Sequence, residues 1–180
     1  MTQKRIGLVL LSGGLDSTTA AAWAIADGMT VSAISFDYGQ THRRELAAAT
    51  AVAKQLRLDH NIVDVSFYRD LAAHSALTNP NKISMPTERD TSEMADDIPS
   101  TYVPLRNTFF LTMGAAWLES AALRAIEQDR IDPGKLEATL VIAANAIDYS
   151  GYPDCRPEYY ETIAESLRLG SKIGTQYNIP

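Results

Sequence analysis

Six consecutive residues, Ser12-Gly13-Gly14-Leu15-Asp16-Ser17, have the types and order needed to grip a pyrophosphate. They follow a continuous apolar run, Ile6 to Leu11, and precede an alanine-rich segment. Glycines let the backbone turn sharply and bring its N–H groups close to a ligand. A helix that starts directly after such a turn offers unpaired N–H donors and the positive end of its dipole. Ser12, Ser17 and Thr18 add hydroxyl donors. A Walker loop would require a lysine followed by Ser or Thr, which the segment lacks. It carries Asp16 instead. A carboxylate beside bound phosphates repels them unless a cation lies between, so Asp16 predicts Mg²⁺ at the site. The plainer reading makes Gly13-Gly14 a simple turn and Asp16 a helix cap; the strand-loop-helix context favours the phosphate grip.

The hexapeptide resembles the signature of the PP-loop ATP pyrophosphatases. That resemblance implies cleavage of ATP between its α and β phosphates, transfer of the adenylate to a carboxylate or carbonyl oxygen, and retention of pyrophosphate by the loop. Three further segments narrow the match. They are Ser35-Phe36-Asp37-Tyr38-Gly39-Gln40 with His42-Arg43, Ile98 to Asn107, and Asp148-Tyr149-Ser150-Gly151-Tyr152-Pro153-Asp154-Cys155-Arg156. With the loop, they are similar to the 7-cyano-7-deazaguanine synthase family from about Ile6 to Gly170. The family resemblance implies an ATP-dependent carbon-nitrogen ligase that turns 7-carboxy-7-deazaguanine and ammonia into a nitrile by adenylating first the carboxylate and then the amide. Two other readings stay open: transfer of the activated deazapurine to an amine of a protein or nucleic acid, and a nucleotide-binding module without turnover.

The same resemblance implies an ATP site of Leu11, Ser12, Gly13, Gly14, Leu15, Asp16, Ser17, Thr18 and Phe36, with Ser12, Asp16, Ser17 and Arg106 serving catalysis. It implies a substrate site of Asp37, Tyr38, Gln40, Tyr102, Asn107, Asp148, Tyr149, Asp154 and Arg156. Read physically, Arg106 can clamp a carboxylate or phosphate bidentately or form an ion pair. Asp148 or Asp154 can accept from the donor edge of a deazaguanine. Tyr38, Tyr149 and Tyr152 can stack on the ring or serve packing. Thr101 to Pro104 is expected to be extended, because Pro104 disfavours helix at Val103, and to wall the base pocket. His42, Arg43 and Arg44 can meet phosphates or form a solvated helix face. Cys155 lacks a visible base and reads as packing rather than as a nucleophile.

These groups need elements to hold them. Ile6–Leu11, Thr30–Phe36, His60–Val65 and Thr139–Ala144 read as strands. Asp16–Asp27, Thr41–Arg57, Arg106–Glu127 and Pro157–Leu169 read as helices, with Gly28 closing the first and Pro157 opening the last. Strands alternating with helices predict right-handed crossovers and a parallel sheet. The fold class is α/β, Rossmann-like with helices on both faces, in the adenine nucleotide alpha hydrolase-like (PP-loop) form the resemblance implies. Asp132-Pro133-Gly134 reads as a turn. Ser66 to Ser100 lacks periodicity and reads as a long loop.

Composition bounds the rest. The chain has 180 residues, a formal net charge of −6, 46% hydrophobic and 21% charged residues. An acidic chain argues against broad nucleic-acid binding. No apolar run reaches the roughly 20 residues that span a bilayer, and no signal-peptide core is evident, so a cytoplasmic location is expected. The single cysteine, Cys155, excludes an internal disulfide framework and a cysteine-rich zinc site. The resemblance nevertheless implies a structural zinc, held in the family by four cysteines of a C-terminal segment that this sequence does not contain. Residues 1–170 are therefore read as the ligase domain and 171–180 as a tail. A truncated, split or shortened relative is expected, together with a homo-oligomer or a complementing partner chain.

Overall fold

Four strands and the helices between them build one parallel sheet covered on both faces. The computed structural model describes residues 3–38, 43–78, 98–144 and 152–180. The order is β1 (Lys4–Leu10), α1 (Leu15–Ala26), β2 (Thr30–Asp37), α2 (Arg43–Leu56), β3 (Asp59–Asp64), α3 (Tyr68–Leu71), α4 (Arg106–Glu127), β4 (Leu136–Val141), α5 (Pro157–Gly170) and α6 (Lys172–Thr175). The strands lie in the order β3-β2-β1-β4, and every pairing is parallel. The fold is thus α/β and Rossmann-like. From β1 the chain moves outward through β2 and β3, then crosses back to lay β4 on the other side of β1. The switch point lies between β1 and β4, where open α/β sheets receive ligands at their carboxyl ends.

Alternation along the strands sorts the core into two layers. Ile6, Leu8, Ile34 and Phe36 face α4, whose Leu118, Ala122, Ala125 and Ile126 fall on one helical face. Val9, Leu11 and Ala33 face α1 and α2 through Ala21, Ala24, Ala49 and Ala53. The small alanines let these two helices lie close to the sheet. α4 is long and apolar enough, by length and composition, to cross a bilayer, against the expectation that no apolar stretch qualifies. Its buried stripe against the sheet makes it the central helix of a globular core.

Two segments depart from the sequence reading. The strand expected at Thr139–Ala144 runs from Leu136 to Val141. Its register partner explains the shift: Arg5 lies opposite Glu137, and the guanidinium donates to both carboxylate oxygens at 2.8 and 3.0 Å. This pairing admits a charge into a half-buried strand that an apolar run would not reveal. The stretch from Ser66 includes the short helix α3, and Ser75 and Thr78 beyond it are buried. The turn at Asp132 is present as a 3-10 turn, Pro133–Lys135, with the Asp132 carboxylate accepting from Gly134 N–H at 3.0 Å. Residues 171–180 hold α6 and enter the core: Ile173 and Ile179 are buried in the α4 layer. The Glu119 carboxylate accepts from the N–H groups of Lys172 and Ile173 at the start of α6.

Candidate active site

The phosphate loop is shaped by α2 as much as by its own sequence. Gly13 has φ +82°, and a Cβ there would fall 2.4 Å from the backbone nitrogen of Ala49. Glycine is required on both counts: the left-handed conformation and the contact with α2. Gly14 is extended and stands as the N-cap of α1, where no side chain caps the helix. The first N–H groups of α1 are therefore offered by a terminus with no side-chain cap. The loop hydroxyls tie the turn together. Ser12 Oγ and Ser17 Oγ lie 3.0 Å apart, and Ser12 Oγ accepts from Gly14 N–H at 3.3 Å. The Thr18 hydroxyl donates to Gly14 O at 2.7 Å.

A cavity of about 620 Å³ opens at the carboxyl edge of the sheet over this loop. Leu10, Leu11, Ser12, Gly14 and Ser17 line it from β1 and α1. The end of β2 adds Ile34, Ser35, Phe36 and Tyr38, and the end of β4 adds Ile142 and Ala143. The first turn of α4 closes one side with Arg106, Asn107 and Phe110. The Phe36 and Phe110 rings stack with centroids 4.4 Å apart and planes 9° from parallel, and Tyr38 leans on Phe110 at 5.7 Å. Burial pushes the Tyr38 phenol up, against the downward pull of the hydrogen-bonded Arg106 guanidinium. Tyr38 is thus a neutral hydroxyl at physiological pH, beside the Arg106 guanidinium.

Beneath the loop, the Ser35 hydroxyl donates to the Leu11 carbonyl at 2.5 Å and meets His60 Nε2 at 2.8 Å. Burial holds the His60 imidazole below its ordinary range, while nearby Asp59 pulls the other way. This pair, a buried serine and a half-buried histidine, joins β3 to the residue that enters the phosphate loop.

The expected residues divide into three groups. Leu11, Ser12, Gly14, Ser17, Phe36, Tyr38, Arg106 and Asn107 meet at one cavity, and Gly13 shapes the loop behind it. Others stand outside its walls. Asp16 and Leu15 are exposed and face an outer groove with Thr19 and Trp23. Asp37 ends β2, and Thr18 lies within α1. The Tyr102 hydroxyl accepts from Leu105 N–H at 3.1 Å, and Arg156 is the exposed N-cap of α5. Thr101 to Pro104 form no part of the cavity wall; Val103 packs with Tyr68 and Ala72 instead. Asp154 is buried and accepts from the backbone of Asn107. Gln40, His42, Asp148 and Tyr149 lie outside the described residues, as do the side chains of Arg43 and Arg44.

Several wall residues were not singled out from the sequence. Phe110 was legible in principle, one helical turn after Arg106 and so on the same face. Glu45, Ala76, Leu77 and Ile142 carry no such signal. They reach the cavity through the packing of α2, of the segment after α3 and of the β4 end.

Comparison with known proteins agrees with this architecture. The family model described as "Queuosine biosynthesis protein QueC" matches residues 6–180. The chain is 47% identical over 167 residues to a 7-cyano-7-deazaguanine synthase of Thermoplasma volcanium, a match covering 93% of this chain and 61% of that protein. It is 45% identical over 172 residues to the synthase of Thermoplasma acidophilum, covering 96% and 64%. For the synthase of Thermosynechococcus vestitus the identity is 44% over 176 residues, covering 97% and 67%. The chain therefore spans roughly 61–67% of the length of these curated relatives. A family match over nearly the whole chain, on a parallel sheet whose phosphate loop opens into a cavity at the switch point, places the chain in the QueC family of queuosine biosynthesis proteins.

Proposed function

We propose that the protein converts 7-carboxy-7-deazaguanine and ammonia to 7-cyano-7-deazaguanine, with ATP as the activating reagent. The observation that carries this reading is the convergence on one cavity of Ser12, Gly14 and Ser17 of the phosphate loop with Tyr38, Arg106 and Asn107. The names of the curated relatives support it. A carboxylate is a poor electrophile, being anionic and having a poor leaving group. Attack of its oxygen on the α-phosphorus of ATP releases pyrophosphate and leaves an acyl adenylate. Ammonia displaces AMP from it and gives the amide. The amide oxygen attacks a second ATP, again releasing pyrophosphate; loss of AMP and of the remaining N–H protons leaves the nitrile.

In this reading Ser12, Ser17 and the first turn of α1 hold the departing pyrophosphate by hydrogen bonds that strengthen as its charge grows. Arg106 holds an anionic oxygen of the carboxylate or the α-phosphate, with Tyr38 beside it in the cavity wall. The stacked Phe36 and Phe110 give a planar base an apolar face. Among the described residues no three or more His, Cys, Asp or Glu side chains gather to hold a metal. Asp16, in the first turn of α1, lines the outer groove that adjoins the cavity at Ile142; from there it offers one carboxylate, which fits Mg²⁺ bound through a single carboxylate and the phosphates of a nucleotide. Bound there, Mg²⁺ would neutralise phosphate charge.

The test is incubation of the protein with ATP, ammonia and 7-carboxy-7-deazaguanine, followed by chromatography and product mass. AMP, pyrophosphate and the nitrile are expected together. Folded protein that releases neither AMP nor pyrophosphate would refute the proposal. AMP release with a macromolecular adduct instead of the nitrile would keep the adenylation and replace the acceptor.

A further inference from the structure

We infer that Asp154 is a positioning residue: it caps α4 from 47 residues away and thereby sets Arg106 and Asn107 at the cavity wall. The inference rests on the proposed function only in taking that wall to face the substrate.

The start of α4 cannot cap itself. Its N-cap position is Leu105, whose side chain has no acceptor and whose backbone is left-handed at φ 54°, ψ 26°. That conformation is unfavourable for a residue with a Cβ and persists only where neighbours impose it. The neighbours are identifiable. The Tyr102 hydroxyl accepts from Leu105 N–H, and the Tyr68 hydroxyl donates to the Pro104 carbonyl. The cap itself comes from the turn after β4. Asp154 Oδ2 accepts from Asn107 N–H at 3.0 Å. The exchange is reciprocal, because Asn107 Nδ2 donates to the Asp154 carbonyl at 3.0 Å and to Cys155 Sγ at 3.2 Å.

Asp154 is 5% exposed. A buried carboxylate needs partners, and here it meets the positive end of a 22-residue helix. It also stands outside the cavity wall, whereas Arg106 and Asn107 form part of it. One carboxylate therefore couples the 3-10 turn Pro153–Cys155, beyond β4, to the first turn of α4.

The experiment compares Asp154→Ala and Asp154→Asn in the full chain by amide hydrogen exchange over residues 106–110 and by kcat and KM for 7-carboxy-7-deazaguanine. An amide oxygen caps a helix about as well as a carboxylate, and alanine does not. Asp154→Ala is expected to speed exchange at the start of α4 about tenfold and to raise KM about tenfold, with kcat changed less. Asp154→Asn is expected to hold both quantities within about threefold of the parent. If Asp154→Asn raised KM as much as Asp154→Ala, the charge itself would be reading the substrate and the inference would fall. Unchanged exchange in Asp154→Ala would also overturn it. Should Asp154→Ala not fold, the Asp154→Asn arm still decides. Should the parent protein show no turnover, the proposed function fails, and the exchange arm judges the cap by itself.

Discussion

At the scale of single residues, the candidate site is held by polar groups in its wall and behind it. Ser35 and His60 are the clearest case: their bond ties β3 to β2, and Ser35 continues it to Leu11, the last residue before the loop. The His60 imidazole prefers its neutral form in the fold. Its unfolded counterpart takes up a proton near the ordinary value of 6.5. As pH falls from 6.5 towards the lower native value, the unfolded chain therefore binds more protons than the folded one, and stability drops. Above 6.5 the contribution is complete. We expect the melting temperature to fall between pH 7 and pH 5 in the parent, and to fall less in His60→Gln, which keeps a donor towards Ser35. Thermal denaturation across that range checks it; equal slopes would remove His60 as the cause.

The elements meet at contacts that sequence periodicity does not describe. Helices α1, α2 and α4 were legible from alanine-rich and apolar spacing, and Arg106–Glu127 was placed to the residue. Their separation was not legible. Gly13 reads in the sequence as a residue that lets phosphate approach, but its Cβ position is occupied by the backbone of α2 at Ala48 and Ala49. Gly13→Ala must therefore strain the turn and push α2 away. A loss of about 3 kcal/mol is expected, from the left-handed conformation together with overpacking against a backbone that cannot rotate aside. Urea denaturation measures it. Gly14→Ala, whose Cβ would come no closer than 3.4 Å to Ser12 Oγ, is the control and should cost less than about 1 kcal/mol.

Across the whole molecule, one sheet carries two layers of different character. The α1–α2 layer is built from alanines and lies close, which brings α2 onto the loop. The α4 layer is built from larger side chains and includes the end of the chain. Ile179 is 3% exposed, and its N–H donates to the Ile173 carbonyl at 3.0 Å. Ile173 and Ile179 stand six positions apart, a spacing that fits a strand, yet the segment holds the short helix α6 and reaches the core by packing against α4. Ile179→Ala is expected to destabilise the fold by about 2–4 kcal/mol, with the midpoint of urea unfolding shifted and its slope retained. A change below about 0.5 kcal/mol would show that this segment does not contribute to the core.

The four strands, the four long helices, the parallel sheet and the phosphate loop follow from the chain alone, because periodicity, glycines and helix starts are local properties; the short helices α3 and α6 do not. The sequence motifs also named Tyr38, Arg106 and Asn107, which share the cavity with Ser12 and Ser17. Tertiary structure alone decided what each polar group faces. Asp154 and Tyr102, expected at the substrate, bond to the start of α4. Asp16 points to an outer groove, and Glu137 entered a strand because Arg5 lies opposite it. The physical reason is plainest at Asp154, which is buried. A buried polar group must find a partner, and that partner is set by how the sheet and helices meet rather than by the neighbours in sequence.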